Sequence, residues 1–157
     1  MPVEPSVVLF LCSGNYYRSR FAELLFNHLA TESALAYRAD SAGLWPNCRE
    51  HNLGPISAHT VAALSRRGVS LPRSHRIPRD VTEADIRDAA LTIALKEAEH
   101  RPLVVDRFPT LLARVEFWHV HDVEDAPPSE AIPLIDANVR ELIARLPRIS
   151  RTRERAP

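Results

Sequence analysis

A buried strand that ends on a reactive side chain and turns through a short loop into a helix restricts the possible folds more than any other feature of this chain. Residues 6–32 read that way. Val7 to Leu11 is an unbroken apolar run, rich in β-branched and bulky side chains, as in a strand covered on both faces of a parallel sheet. Cys12 stands at its C-terminal end. Beyond Ser19 the residues Phe21, Leu24, Leu25, His28 and Leu29 recur at helical spacing, and the charged Arg20 and Glu23 fall off that stripe. A strand over about 6–12 and a helix over about 18–32 are expected, which commits the chain to a layered α/β arrangement.

The connecting loop carries Cys12, five residues, Arg18 and Ser19. Gly14 and Asn15 are the residue types that most readily adopt left-handed backbone conformations, so the loop is expected to curl until successive N–H groups point inward as an anion nest. A phosphate fits such a nest, and the N-terminus of the following helix adds unpaired N–H groups and a positive dipole end. The same surroundings favour a thiolate at Cys12 and make it a nucleophile. Arg18 offers a planar fork for two phosphoryl oxygens, and the Ser19 hydroxyl can donate to the sulfur. The predicted site is thus Cys12 and Arg18 with Ser13, Gly14, Asn15, Tyr16, Tyr17, Arg18 and Ser19 around the phosphate. Tyr16, Trp45 and Lys96 are candidates for lining the substrate slot.

Two other chemistries are set aside. The loop lacks the Gly-Lys-[ST] ending of a Walker motif. Cys48 and His51 with His119 and His121 offer zinc-type atoms at a spacing that matches no usual zinc pattern. No metal and no other cofactor are expected.

Beyond the loop, the residues resemble the low-molecular-weight protein tyrosine phosphatases and their arsenate reductase relatives. The likeness rests on the Cys-x-Gly-Asn-x-x-Arg-Ser loop (Cys12, Gly14, Asn15, Arg18, Ser19), Phe21-Ala22-Glu23, Ser41-Ala42-Gly43, His75-Arg76 and the acidic stretch Asp122 to Asp125, and it covers about residues 6–146. The resemblance implies a three-layer α/β/α fold with a four-stranded parallel sheet. It also implies that Ser41 braces Asn15, that His75 bonds the same asparagine, and that an aspartate shortly before the last helix protonates the leaving group. Asp125 keeps that offset, with Asp122 as its rival. The implied activity is cysteine-dependent hydrolysis of a phosphomonoester, in protein or in a small molecule, through a thiophosphate on Cys12. An arsenate reductase and a phosphate-binding pseudo-enzyme are the alternatives.

Three departures bear on substrate. Ala126 replaces the proline common after the acid, and no aromatic residue follows it. Tyr17 stands where many relatives carry a second loop cysteine. Lys96 stands where Met-Asp is common, and it can either steer an anionic substrate or pair with Glu97 or Glu99.

The remaining pattern supports one domain over 1–157, with a core at about 6–146 and a basic tail at 147–157 expected to be flexible. Further strands are expected at Tyr37–Ala42, Ala89–Leu95 and Val115–Val120, and helices at Ala58–Arg67, at Thr82–Arg87 and from about Ser129. The alternation implies one more helix between the third and fourth strands. Ligands in such sheets sit beyond the strand C-termini, where Cys12, Ser41, Lys96 and the acidic loop gather. A formal net charge of +0 calls for neither nucleic acid nor membrane, no run approaches membrane-spanning length, and the first residues lack a signal-peptide pattern. With only two cysteines there is no disulfide framework, and a cytoplasmic protein, monomeric or weakly dimeric, is expected.

Overall fold

The structure, a computed structural model, describes residues 4–71, 76–123 and 125–147. The apolar run forms β1 (Ser6–Cys12), and the loop leads into α1 (Arg18–Glu32). There follow β2 (Tyr37–Gly43), α2 (Ala58–Arg66), α3 (Glu83–Asp88), β3 (Leu91–Ala94), α4 (Glu97–Arg107), β4 (Val115–Phe117) and α5 (Pro128–Arg145). The four strands are parallel in the order β2-β1-β3-β4, so β1 is central and carries Cys12 to the middle of the sheet's C-terminal edge.

Alternation along β1 divides the core in two. Val8 and Phe10 face a cluster built with Phe21, Leu25 and Phe26 of α1 and Ile132, Ile135 and Val139 of α5. Leu9 and Leu11 face the other way, onto Ile86 of α3 and Val104 of α4. Each large apolar side chain buried there contributes about 1.5–3 kcal/mol relative to exposure, so both layers hold the central strand.

Several boundaries differ from expectation for local reasons. Thr82 caps α3 in a reciprocal capping box with Asp85, and Ala89 closes that helix on the Asp85 carbonyl, so β3 begins at Leu91 rather than Ala89. The regular ladder of β4 ends at Phe117. The chain nevertheless stays beside β3 as far as Val120 through Trp118 N–H to Ala94 and Val120 N–H to Leu95. Ser57 caps α2 by accepting from His59 N–H.

Arg20 departs most from the expected pattern. It is buried, and its Nη1 donates to the carbonyls of Pro55 and Arg76 at 2.8 and 3.0 Å. The N-terminal turn of α1 is enclosed on all sides by the loops of the site, so the rule of one apolar and one solvated face does not hold there. Burial, with Arg76 close by, lowers its guanidinium to about 10. The tail at 148–157 lies outside the described residues.

Candidate active site

The loop between β1 and α1 closes because its carbonyls are taken from outside. The Cys12 and Ser13 carbonyls accept from Leu44 and Trp45 N–H at 2.9 and 3.0 Å, and the Tyr16 carbonyl accepts from Ser57 N–H at 3.0 Å. The Tyr17 carbonyl accepts from the Thr60 hydroxyl at 2.9 Å. With carbonyls turned outward, the N–H groups turn to the interior of the loop, which is the geometry of an anion nest.

Asn15 alone in the loop is left-handed, at φ 51°. Gly14 does not share that conformation, contrary to expectation; its lack of a side chain matters for space, since a Cβ there would lie 3.0 Å from Asn52 Nδ2 and 3.7 Å from the Trp45 ring. The strained asparagine is held on both sides of its amide. Its Nδ2 donates to Ser19 Oγ and Ser41 Oγ, each at 2.9 Å, and its Oδ1 accepts from Arg76 Nη1 at 2.8 Å and Arg79 N–H at 3.2 Å. Ser41 Oγ in turn donates a hydrogen bond to Glu23 Oε1 at 2.5 Å, and Glu23 also pairs with Arg76. Sequence reasoning overlooked Arg76, although it adjoins His75 in the same motif. His75 itself lies outside the described residues.

Cys12 Sγ is 2.9 Å from Ser19 Oγ. Because Asn15 donates into that oxygen, the Ser19 proton is free to point at the sulfur. Arg18 is almost wholly buried, with Nη1 donating to the Val120 carbonyl at 3.0 Å and Nη2 to Glu99 at 2.7 Å; Asp122 is 3.5 Å away. Burial would lower the Arg18 pKa, but Cys12, Asp122 and Glu99 outweigh it and hold the group charged. Ser13 does not use its side chain on the slot: its hydroxyl donates to Glu99, behind the loop.

Above the loop opens a slot of about 430 Å³, reached by Cys12 and Arg18. Tyr16 and Trp45 form part of its wall, Tyr16 fixed by a bond to the Leu53 carbonyl at 2.6 Å and Trp45 packed on His51 at 4.7 Å. Tyr17 also borders it, its ring otherwise buried and its hydroxyl pushed up to about 12 by burial and by Asp122.

The acidic loop is arranged differently from expectation. Asp122 lines the slot, whereas Asp125 is exposed outside it, with Lys96 Nζ donating to its carboxylate at 2.8 Å. That bond and the ammonium charge lower the Asp125 pKa. Lys96 therefore pairs with neither Glu97 nor Glu99. Glu97 is taken by Arg101 one helical turn on, and Glu99 faces Arg18.

Cys48 is buried against Gly43, where any Cβ would come within 2.8 Å of its sulfur. Burial and a hydrogen bond with Asp80 push its thiol up to about 12. Among the described residues no group of three or more His, Cys, Asp or Glu side chains is placed to hold a metal, and no helix is long and apolar enough to cross a membrane.

Comparison with known proteins gives a consistent result. The family model for low molecular weight phosphotyrosine protein phosphatase matches residues 7–125. A protein-arginine-phosphatase of Bacillus subtilis (strain 168) is 29% identical over 103 residues, 64% of this chain and 62% of that protein. The low molecular weight protein-tyrosine-phosphatase YfkJ of the same organism is 37% identical over 92 residues, 56% of this chain and 54% of that protein. The chain thus spans less than two thirds of the length of these two relatives. The crystal structure of YfkJ superposes with a TM-score of 0.77 at 26% identity, covering 92% of this chain and 96% of that one.

Proposed function

Because this chain belongs to the low molecular weight phosphotyrosine protein phosphatase family, we propose that it is a cysteine-dependent phosphomonoester hydrolase acting through Cys12. The observation that carries the reading is the closed loop itself. Its carbonyls are bonded outward, Cys12 Sγ lies 2.9 Å from the Ser19 hydroxyl, and the Arg18 guanidinium stands at its rim.

The reaction runs in two steps. The Cys12 thiolate attacks phosphorus, the P–O bond to the leaving group breaks, and a carboxylic acid protonates the departing oxygen. Loop N–H groups and Arg18 hold the three remaining oxygens as charge redistributes. Water then attacks the thiophosphate, giving up a proton to the same carboxylate, and the Cys12 thiolate leaves with the Ser19 hydroxyl donating to it. The products are an alcohol or phenol and inorganic phosphate.

Residue pattern and geometry point to different acids. Asp125 keeps the position of the family's proton donor, and we retain it in that role. It reaches the slot only if its pair with Lys96 opens, while Asp122 already lines the slot. The substrate class that the walls favour is an aryl phosphate such as phosphotyrosine, since Tyr16 and Trp45 line the slot that an aromatic leaving group would enter. Cys48, buried and with its thiol raised, gives no support to an arsenate reductase relay.

The test is phosphate release from p-nitrophenyl phosphate. Wild type should turn over and Cys12→Ser should not, while both bind vanadate. Turnover by Cys12→Ser would overturn the reading, and binding without turnover in wild type would leave a phosphate-binding pseudo-enzyme.

A further inference from the structure

The catalytic arginine is gripped from behind by a group that the sequence does not advertise. Arg18 directs Nη1 to the Val120 carbonyl at 3.0 Å and Nη2 to Glu99 Oε2 at 2.7 Å. Those two bonds occupy the end of the guanidinium. They leave its Nε–H without a protein partner among the described residues and the other side of Nη2 facing only Asp122 Oδ2 at 3.5 Å, so that this lateral edge can hold two oxygens of one phosphoryl group.

Glu99 is itself tied down. The same carboxylate oxygen accepts from the Ser13 hydroxyl and lies 2.9 Å from His100 Nε2. The tautomer of His100 follows from its other nitrogen: Nδ1 accepts from the backbone N–H of Lys96 at 3.0 Å, so the ring proton sits on Nε2 and is donated. His100 is fully buried, and burial lowers its pKa, which keeps the ring neutral. Burial would raise the Glu99 pKa, but the His100 bond, Arg18 and Ser13 together hold it well below the usual carboxylate range. The anion thus accepts from Arg18 and Ser13 and lies against the His100 ring, whose Nε2 also reaches Ser13 Oγ at 3.2 Å, rather than being turned on the slot. Ser13 belongs to the phosphate loop and Glu99 and His100 to the first turn of α4, so this cluster registers the helix, the loop and the arginine against one another.

Resting on the phosphatase reading above, we propose that Glu99 is the positioning residue of Arg18, fixing the lateral edge of its guanidinium toward the phosphoryl group during transfer. Glu99 touches no substrate. Its removal should loosen the aim of Arg18 without removing positive charge from the site.

The experiment compares wild type, Glu99→Gln and Glu99→Asp in kcat and KM for p-nitrophenyl phosphate, with the Kd of inorganic phosphate from calorimetric titration. Glu99→Gln should lose kcat on the order of 10–100-fold, the scale of a misaimed catalytic group, while phosphate binds no more weakly, since a negative charge has left the site. Glu99→Asp keeps the charge one methylene further back and should show a smaller loss of kcat with phosphate affinity retained. Should Glu99→Gln fail to fold, the Asp variant carries the same test. A kcat within twofold of wild type in both variants overturns the assignment. So does a parallel loss of kcat and of phosphate affinity, which would mean that the carboxylate merely holds the loop together. Wild type without turnover would instead remove the phosphatase reading itself, and this assignment with it, before any variant is compared.

Discussion

The phosphate loop and the acid loop sit at the same edge of one sheet and are built in opposite ways. In the first, Asn15 is fully buried and uses both ends of its amide, and four loop carbonyls are bonded to neighbouring segments. In the second, Asp125 is exposed and is held by a single ammonium group, and Asp122 bonds the N–H of its own neighbour Val123. Binding a dianion demands donors already aimed, because reorganising them during reaction would forfeit their effect. Delivering a proton demands only that one carboxyl arrive at the leaving oxygen, and an exposed loop can bring it there. On the proposed reading, the half of the site that would hold phosphate is braced from several segments, and the half that would serve the leaving group by few bonds.

The sharpest break in that comparison should come from Arg18→Lys. An ammonium group cannot grip the Val120 carbonyl, Glu99 and a phosphoryl group at once, and the loss of turnover should be roughly 10³–10⁵-fold, as for other arginines that stabilise phosphoryl transfer. Steady-state kinetics on p-nitrophenyl phosphate measures it. A variant with near-native kcat would show that positive charge alone suffices.

Next in size are the two aspartates. Asp125→Asn should slow phenyl phosphate hydrolysis about 10²–10⁴-fold and p-nitrophenyl phosphate far less, because only the more basic leaving group needs the proton. Asp122→Asn should leave that leaving-group dependence intact. The reverse result would give the role to the residue that already lines the slot and would make the acid loop as preorganised as the phosphate loop.

A smaller loss is expected for Arg76→Ala, which strips donors from Asn15 and Ser41. An unsatisfied buried group costs about 1–3 kcal/mol, so the melting temperature should fall and phosphate should bind more weakly. An unchanged Kd for phosphate would mean that Ser41 and Arg79 hold Asn15 unaided.

The smallest effect is expected from Lys96→Ala, and it appears as a shift in pH dependence. Lys96 lowers the Asp125 pKa through their hydrogen bond and its charge, so removing it lets that pKa rise. The falling limb of kcat toward high pH, which follows loss of the proton from the acid, should then move to higher pH if Asp125 is the donor. A limb that does not move excludes the lysine-bound carboxylate from the role.

Much of this was legible in the residues. The Val7–Leu11 run, the Cys12 to Ser19 spacing and the stripe after Ser19 suffice for β1, the loop and α1, because burial on both faces and helical periodicity are local properties. What was not legible depends on which distant segment arrives. Arg20 looks like a solvated charge until the loops carrying Pro55 and Arg76 close over it. Glu99 and His100 look like the polar face of α4, and only packing of that helix behind Ser13 turns them inward. Lys96 has Glu97 and Glu99 as neighbours in sequence, and it pairs instead with Asp125, 29 positions away.

The burial of Cys48 against Gly43 also decides how the protein meets reagents. Of its two cysteine thiols, Cys12 opens on the slot and Cys48 is sealed off and raised to about 12. A native molecule should therefore take up one equivalent of iodoacetamide, and inorganic phosphate should slow that uptake. Labelling then counts competent active sites directly, and a second equivalent reports unfolding.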